Sequence, residues 1–407
     1  MRKEEKDSAQ SQDNNMIGIV EPKECTGCLA CKDVCAIAAI DLIERDGFMY
    51  PVIDNAKCVS CNACKTVCPS LSLAVNSDYA SFTPKAYAAW AVEEQLRYRS
   101  TSGGVFGVVA EAFIKQGGYV CGCSFSKDYR NAKFEAVNTR VDLDRLIRTK
   151  YFQCDMGNIY LEIRRLLRQG EKVLFCGTPC QTAALYKFVG EQRDNLYLVD
   201  FLCKGIPSQK VHERYIDLLE ERYKSKVIYF GSKSKIRGWG KFFTEVKFEN
   251  GKIKYLRSPL DSLFVTLTYT VRPACANCNY KSRQRVSDIT IGDFWGIEGI
   301  DENTMRNGVS ALIVNTEKGY GLIDNPEIQI YKEERKLADV ANGRNPGYSQ
   351  RVVINGKQQE FFRDFYQLPF RKVLKKYAQK NDLFSIAVRV IKSKYKRIKN
   401  VFFGGRK

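Results

Sequence analysis

Cys25-Thr26-Gly27-Cys28-Leu29-Ala30-Cys31-Lys32-Asp33-Val34-Cys35 and, 33 residues further on, Cys58-Val59-Ser60-Cys61-Asn62-Ala63-Cys64-Lys65-Thr66-Val67-Cys68-Pro69 carry the same spacing, C-x2-C-x2-C-x3-C. The segment is an internal repeat. Three cysteines at two-residue intervals wrap a tight loop around one inorganic cubane, and the fourth, three residues on along a short helix, points away from it. Apolar residues alternate on either side of Asp46-Gly47 between the blocks, which reads as a β-hairpin. Paired zinc knuckles or unligated thiols are the competing readings, and eight cysteines in a duplicated pattern weigh against both.

Over about Ile17 to Ala74 this pattern resembles the bacterial two-cluster ferredoxin, in which the fourth cysteine of each run crosses to the other cluster. On that reading Cys25, Cys28, Cys31 and Cys68 hold one [4Fe-4S] cluster, and Cys58, Cys61, Cys64 and Cys35 hold the second. Ala36 departs from the family pattern, which has proline after the fourth cysteine as Pro69 does; no ligand is lost.

Beyond a Ser/Thr/Pro-containing stretch, Ser77 to Lys85, the periodicity becomes α/β. Helices are expected at Gly103–Lys115, Met156–Arg168, Pro179–Phe188 and Gln209–Tyr223, with strands at Tyr119–Phe125, Lys172–Cys176 and Leu196–Leu202. Alternation of this kind predicts a mixed or mainly parallel sheet covered by helices. Val227–Leu256 reads as an antiparallel addition with turns at Gly238-Trp239-Gly240 and Asn250-Gly251.

Four more cysteines stand where ligands are often found. Cys180 lies in the first turn of a helix behind Pro179, where backbone N–H groups favour a thiolate. Cys203 follows a strand, and Cys275 with Cys278 forms a C-x2-C; together they would complete a third cubane. Core packing of scattered cysteines is the alternative. Cys121, Cys123, Cys154 and Cys176 are expected as buried or reduced thiols.

The strings Ser100-Thr101-Ser102-Gly103-Gly104-Val105-Phe106, Lys150-Tyr151-Phe152-Gln153, Leu174 to Gln181, Asp200 to Gly205 and Ser287 to Gly296 resemble the coenzyme F420 hydrogenase/dehydrogenase beta-subunit family, over roughly Tyr87 to Leu312. The resemblance implies an FAD-binding iron-sulfur oxidoreductase in which a cluster passes electrons to the flavin and the flavin exchanges hydride with an organic substrate. Such proteins are often fused to a two-cluster ferredoxin, and bacterial relatives imply a sugar-linked substrate class. Ser102, Gly103 and Gly104 open a helix whose N–H groups can cradle a pyrophosphate, an N-cap and turn being the plain alternative. Asp293, Phe294 and Trp295 follow a strand, where the aromatics flank a flavin ring or simply pack the core. Lys150, Gln153, Thr178 and Gln181 are placed near the flavin. Lys204 stands where the family commonly has histidine, and is the candidate proton donor; its ordinary pKa is about four units higher.

The 407 residues, 44 % hydrophobic, suffice for two to three domains. We expect a polar tail over 1–16, a ferredoxin domain of α+β type over 17–76, the flavin and iron-sulfur α/β domain over 77–340, and a basic helical region over 341–407. Sixteen cysteines in this length are too few for a disulfide-stapled scaffold. Met1 to Asn15 lacks an apolar signal core, so a cytoplasmic protein is expected. His212, alone of its kind, reads as surface or structural and excludes histidine-rich zinc sites. Of the +19 net charge, about +12 lies in the last 37 residues, and three clusters of about −2 each would neutralise most of the rest. Nucleic acid is therefore not the expected partner. Phe384, Ala387, Val388, Ile391, Tyr395, Ile398 and Phe402 share one face of a basic helix, which would lie on an anionic membrane surface, bind an acidic partner, or dock on the protein itself. The leading expectation is a reductase fed by a ferredoxin-like low-potential donor; an electron-transfer subunit and a metal-stabilised interaction module are the alternatives.

Overall fold

The computed structural model describes residues 16–76, 81–257, 267–281, 285–342 and 344–378. The expected polar tail and the basic amphipathic helix over Phe384–Phe402 lie outside the described residues.

The Asp46-Gly47 turn joins two antiparallel strands, and its Gly47 adopts φ 73°, a left-handed conformation that costs glycine little. β1 (Met16–Gly18), β2 (Ile40–Arg45) and β3 (Phe48–Asp54) form a three-stranded sheet in the order β1-β3-β2. Two short helices, α1 (Ala30–Val34) and α2 (Ala63–Thr66), carry the third cysteine of each run.

An eight-stranded mixed sheet forms the body of the α/β fold. Its strands are β4 (Lys85–Ala91), β5 (Tyr119–Phe125), β6 (Ala132–Val137), β7 (Val173–Cys176), β8 (Leu196–Phe201), β12 (Ile289–Asp293), β13 (Ser310–Val314) and β14 (Ile330–Arg335). The order is β14-β4-β13-β12-β8-β7-β5-β6; β12, β8, β7 and β5 run parallel, and antiparallel strands flank them. Parallel strands are sealed on both faces, and β7 (Val173, Leu174, Phe175) is fully buried over that run. The covering helices include α3 (Val105–Lys115), α4 (Ile159–Arg168), α5 (Pro179–Val189) and α6 (Gln209–Tyr223). β9 (Val227–Ser234), β10 (Phe243–Phe248) and β11 (Ile253–Arg257) make the antiparallel addition, with the Asn250-Gly251 turn between the last two.

Helix α4 starts three residues later than the sequence pattern implies. Gly157 at φ 53° and its N–H bond to Asp155 Oδ1 make a turn there, while Met156 is fully buried and so contributes to the apolar pattern without being helical. Two helices, α7 (Gln358–Gln367) and α8 (Phe370–Ala378), lie near the C-terminus. Phe361, Phe362 and Phe365 of α7 share a core with Phe48, Tyr50 and Cys25. Gly47 N–H donates to Tyr366 Oη at 2.9 Å and Gly47 O accepts from Ser208 Oγ at 2.8 Å, so the hairpin turn is gripped from both sides.

One sequence expectation needs correction. Cys123 and Cys154 are joined in a disulfide and are not two thiols; Asp155 pairs alongside Lys133 of β6, which brings the neighbouring Cys154 up to β5. Of the two readings of His212, surface or structural, the structure fits the second: it is 2 % exposed, stacked on Phe152 with centroids 4.3 Å apart. No helix among the described residues is long and apolar enough to cross a membrane.

Candidate iron-sulfur and cofactor sites

The two cysteine runs share their local backbone as well as their spacing. Gly27 and Ser60 have φ of 69° and 56°, and Leu29 and Asn62 both have φ 59°, each pair 33 residues apart. Left-handed residues at these points turn each loop back on itself. Such turns are costly for Leu29 and Ser60, and the repetition shows that the loop shape is specified twice.

The halves differ in burial. Cys25, Cys28 and Cys31 are each 7–8 % exposed, whereas Cys61 is exposed and Cys58, Cys64, Cys35 and Cys68 are partly so. Burial pushes Cys28 up to about 12, with Cys25 and Cys68 as negative neighbours that raise it further. Cys31 is raised by burial and then by Cys28, Cys25 and Cys68. These four thiols thus lie within electrostatic reach of one another. In the second run, burial raises Cys64, and Cys58 and Cys61 add to the rise. Backbone N–H groups donate to sulfur here, Ala39 N to Cys35 Sγ at 3.3 Å and Ser60 N to Cys58 Sγ at 3.4 Å.

Cys180, Cys203, Cys275 and Cys278 form a third set drawn from three separate segments. Burial raises Cys180, with Cys278 and Cys203 among its negative neighbours, and burial pushes Cys275 up to about 12, with Cys203 and Cys278 acting the same way. Cys180 and Cys203 follow the carboxyl ends of β7 and β8, the edge where parallel sheets bind ligands. Among the described residues, no group of three or more His, Cys, Asp or Glu is gathered as a site for a single metal ion. All-sulfur donor sets whose members oppose one another's ionisation suit an iron-sulfur cluster, whose iron ions offset the thiolate charge.

Arg272, fully buried, joins the first and third sets. Its guanidinium donates to Cys25 O at 2.6 Å, Cys25 Sγ at 3.4 Å, Met49 O at 3.0 Å and Gln153 Oε1 at 2.7 Å, and it lies over the Tyr50 ring at 4.3 Å. The same charge opposes the upward shift of Cys275, three residues along the chain. Gln153 Nε2 in turn donates to Gly27 O at 2.9 Å, and a Cβ on Gly27 would meet that nitrogen at 2.2 Å. Tyr160 Oη donates to Cys28 O at 2.9 Å, and Cys28 also lies within electrostatic reach of Cys180.

The remaining candidates gather at the carboxyl edge of the sheet, with exceptions. Ser102 Oγ donates to Val309 O at 2.8 Å, and Gly103 N–H to Ser310 Oγ at 2.9 Å, which fixes the loop ahead of α3. Lys235 donates to Arg97 O and Ser102 O; burial and the nearby Arg97 and Arg148 push its ammonium down to about 7. Arg148 Nη1 is buried without a hydrogen-bond partner. Asp293 pairs with Lys233 and accepts from Trp239 Nε1 at 3.1 Å, while Trp239 stacks on Trp295 with centroids 4.5 Å apart and planes 5° apart. Lys150 closes the end of the preceding helix on four carbonyls, Arg145 to Arg148, and burial pushes it down to about 7. Lys204 is exposed and held below the usual lysine range by desolvation and by Lys233.

Four candidates lie elsewhere. Phe294 is 0 % exposed, packed in the core with Val309 and Ala311. Gln153 turns to the first cysteine loop, as described. Thr178 and Gln181 form a capping box on α5, with Thr178 Oγ1 3.1 Å from Cys180 Sγ, so they support the third cysteine set. Sequence reasoning missed Arg97, Arg148, Lys233, Lys235 and Arg272. Lys233 and Lys235 were legible only as charges ending an apolar strand, and Arg272 only as a cation three residues before Cys275.

A chain of the F420-reducing [NiFe] hydrogenase complex from Methanosarcina barkeri is similar at 14 % identity, with a TM-score of 0.44 over 73 % of this chain and 89 % of that one. No curated protein matches the chain. Family models match twice: the 4Fe-4S dicluster domain over residues 24–71, and the C terminus of the coenzyme F420 hydrogenase/dehydrogenase beta subunit over residues 170–340. The chain thus couples a 4Fe-4S dicluster domain to a region similar to the C terminus of the coenzyme F420 hydrogenase/dehydrogenase beta subunit.

Proposed function

We propose that this iron-sulfur electron-transfer protein is a flavin-dependent oxidoreductase whose clusters are ordered from the exposed edge inward. Residues 17–76 act as a ferredoxin-like domain and residues 77–340 as the flavin and third-cluster domain. The observation that carries the order is Arg272, which touches Cys25 of the buried quartet and faces Cys275 of the third. Electrons pass from the quartet of Cys58, Cys61, Cys64 and Cys35, beside solvent, to that of Cys25, Cys28, Cys31 and Cys68. They then pass to Cys180, Cys203, Cys275 and Cys278.

FAD would supply the exchange between one-electron and two-electron transfer. Arg97, Arg148 and Lys235 offer three cations beside the Ser102–Gly104 loop, and the unpartnered Arg148 Nη1 is a donor suited to a pyrophosphate oxygen. An anion there would return the Lys235 charge toward its ordinary state. Lys204, lowered by desolvation and then by Lys233, is placed to hold a proton for an organic acceptor. A second reading, an electron-transfer subunit serving a partner protein, is favoured by the exposed Val59 and Ile37 beside the outer cysteines.

Anaerobic reconstitution followed by iron, sulfide and flavin analysis tests the proposal. About twelve iron and one FAD per chain are expected, four iron for each quartet. Iron near eight removes the third cluster, and absence of flavin removes the enzyme reading in favour of the subunit.

A further inference from the structure

We propose that the Cys123–Cys154 disulfide, set against the same apolar core as Cys28 and one residue from the Gln153–Gly27 contact, is a reducible centre fed by the first cysteine quartet. The proposal rests on the reading of that quartet as a [4Fe-4S] site. Cys123 lies on β5 and Cys154 on the segment ahead of α4, with Cα atoms 6.7 Å apart. Both residues pack against the buried side chains that include Cys28 and Tyr160, as do Cys180 and Cys278. From Cys25 Sγ, the path runs through the Arg272 guanidinium and the Gln153 amide to the peptide of Cys154.

The covalent bond adds little that the segment lacks. Gln153 N donates to Pro207 O at 2.9 Å, Asp155 N to Ala132 O at 2.8 Å, and Asp155 O accepts from Phe134 N at 2.8 Å. Cys154 is therefore held from both sides by main-chain bonds that survive opening of the disulfide. Both residues are partly exposed, so water near them can supply protons; Cys121, two residues back on β5, is 0 % exposed and stays a thiol. Low-potential clusters lie below the range in which labile protein disulfides are reduced. In the step itself the S–S bond breaks, two electrons arrive singly from the reduced first cluster, two protons come from water, and two thiols form. The external low-potential donor restores the cluster after each electron.

Reductive titration of the anaerobic, cluster-loaded full chain with reduced methyl viologen tests this, with N-ethylmaleimide trapping and peptide mass measurement at each point. Cys123 and Cys154 are expected to become labelled together, and the wild-type chain to take up two more electrons than Cys123→Ser at equal iron content. Equal uptake by the two chains, with the pair still linked after the cluster absorbance has bleached, overturns the proposal and leaves the cluster reading intact. A chain without iron at the first quartet overturns both, and iron analysis identifies that case separately.

Discussion

The two cysteine loops have one spacing and one backbone, yet one is packed inside the protein and the other is left at its edge. Gly27 and Leu29 repeat the conformations of Ser60 and Asn62, so the loops are equally able to wrap a cubane. What differs is what covers them. Arg272, Gln153 and Tyr160 close over the first loop, whereas Cys61 meets solvent beside Val59. A duplicated motif can thus keep its spacing and backbone while its copies differ in what covers them.

The comparison breaks most decisively at the cysteines. Cys28→Ser is expected to lose about four iron and to lower Tm, because the cluster there stabilises the folded joint. Cys61→Ser should lose as much iron with little change in Tm; equal melting shifts in the two variants, read by calorimetry beside iron analysis, would erase the distinction.

Arg272→Met comes next, at about 3 kcal/mol of stability, since it strands the buried Cys25 carbonyl, the partly buried Met49 carbonyl and the Gln153 side chain. Its more specific effect is on the first cluster alone: with the donor to Cys25 Sγ gone, that cluster's midpoint should fall in an EPR-monitored titration while the second is unmoved.

Acid probes the same half through His212. Burial pushes its imidazole down to about 4, while Tyr129 O at 2.8 Å opposes the shift. The unfolded chain takes up a proton near pH 6.5 and the folded chain does not until about 4, so stability falls as pH drops through that window, by about 3 kcal/mol in all, and levels off below it. Because His212 stacks on Phe152, next to Gln153, the first loop should lose iron before the second; His212→Phe should flatten the denaturation profile over this range.

The smallest effect expected is at the cofactor edge. Lys235→Gln should weaken FAD binding about tenfold, or about 1.4 kcal/mol, with iron content unchanged. Fluorescence titration measures the first and iron analysis the second.

The dicluster domain was legible because ligand spacing is a local property: eight cysteines within 44 residues announce themselves without any tertiary knowledge. Strands β5, β7 and β8 and helix α6 were legible from periodicity and their stop signals, since burial on one or both faces leaves a regular apolar trace. The joint was not. Arg272 meets Cys25 from 247 positions away, and nothing near either residue marks the pairing. The disulfide was hidden likewise, because it depends on Asp155 lying alongside β6. Phe294 shows the reverse difficulty: an aromatic after a strand reads the same whether it serves a ligand or, as here, the core.

The grip on Gly47 has a consequence for assembly in time. The Asp46-Gly47 turn is synthesised well before Tyr366, which holds Gly47 from 319 residues further along the chain. At roughly 5–20 residues per second, the interval is on the order of tens of seconds. During it, the nascent hairpin lacks the aromatic wall of α7, and Cys25 lacks the guanidinium that later covers it. Iron held by the inner cysteines would therefore enter most readily while the chain is still emerging, before the phenylalanines of α7 pack beside Cys25.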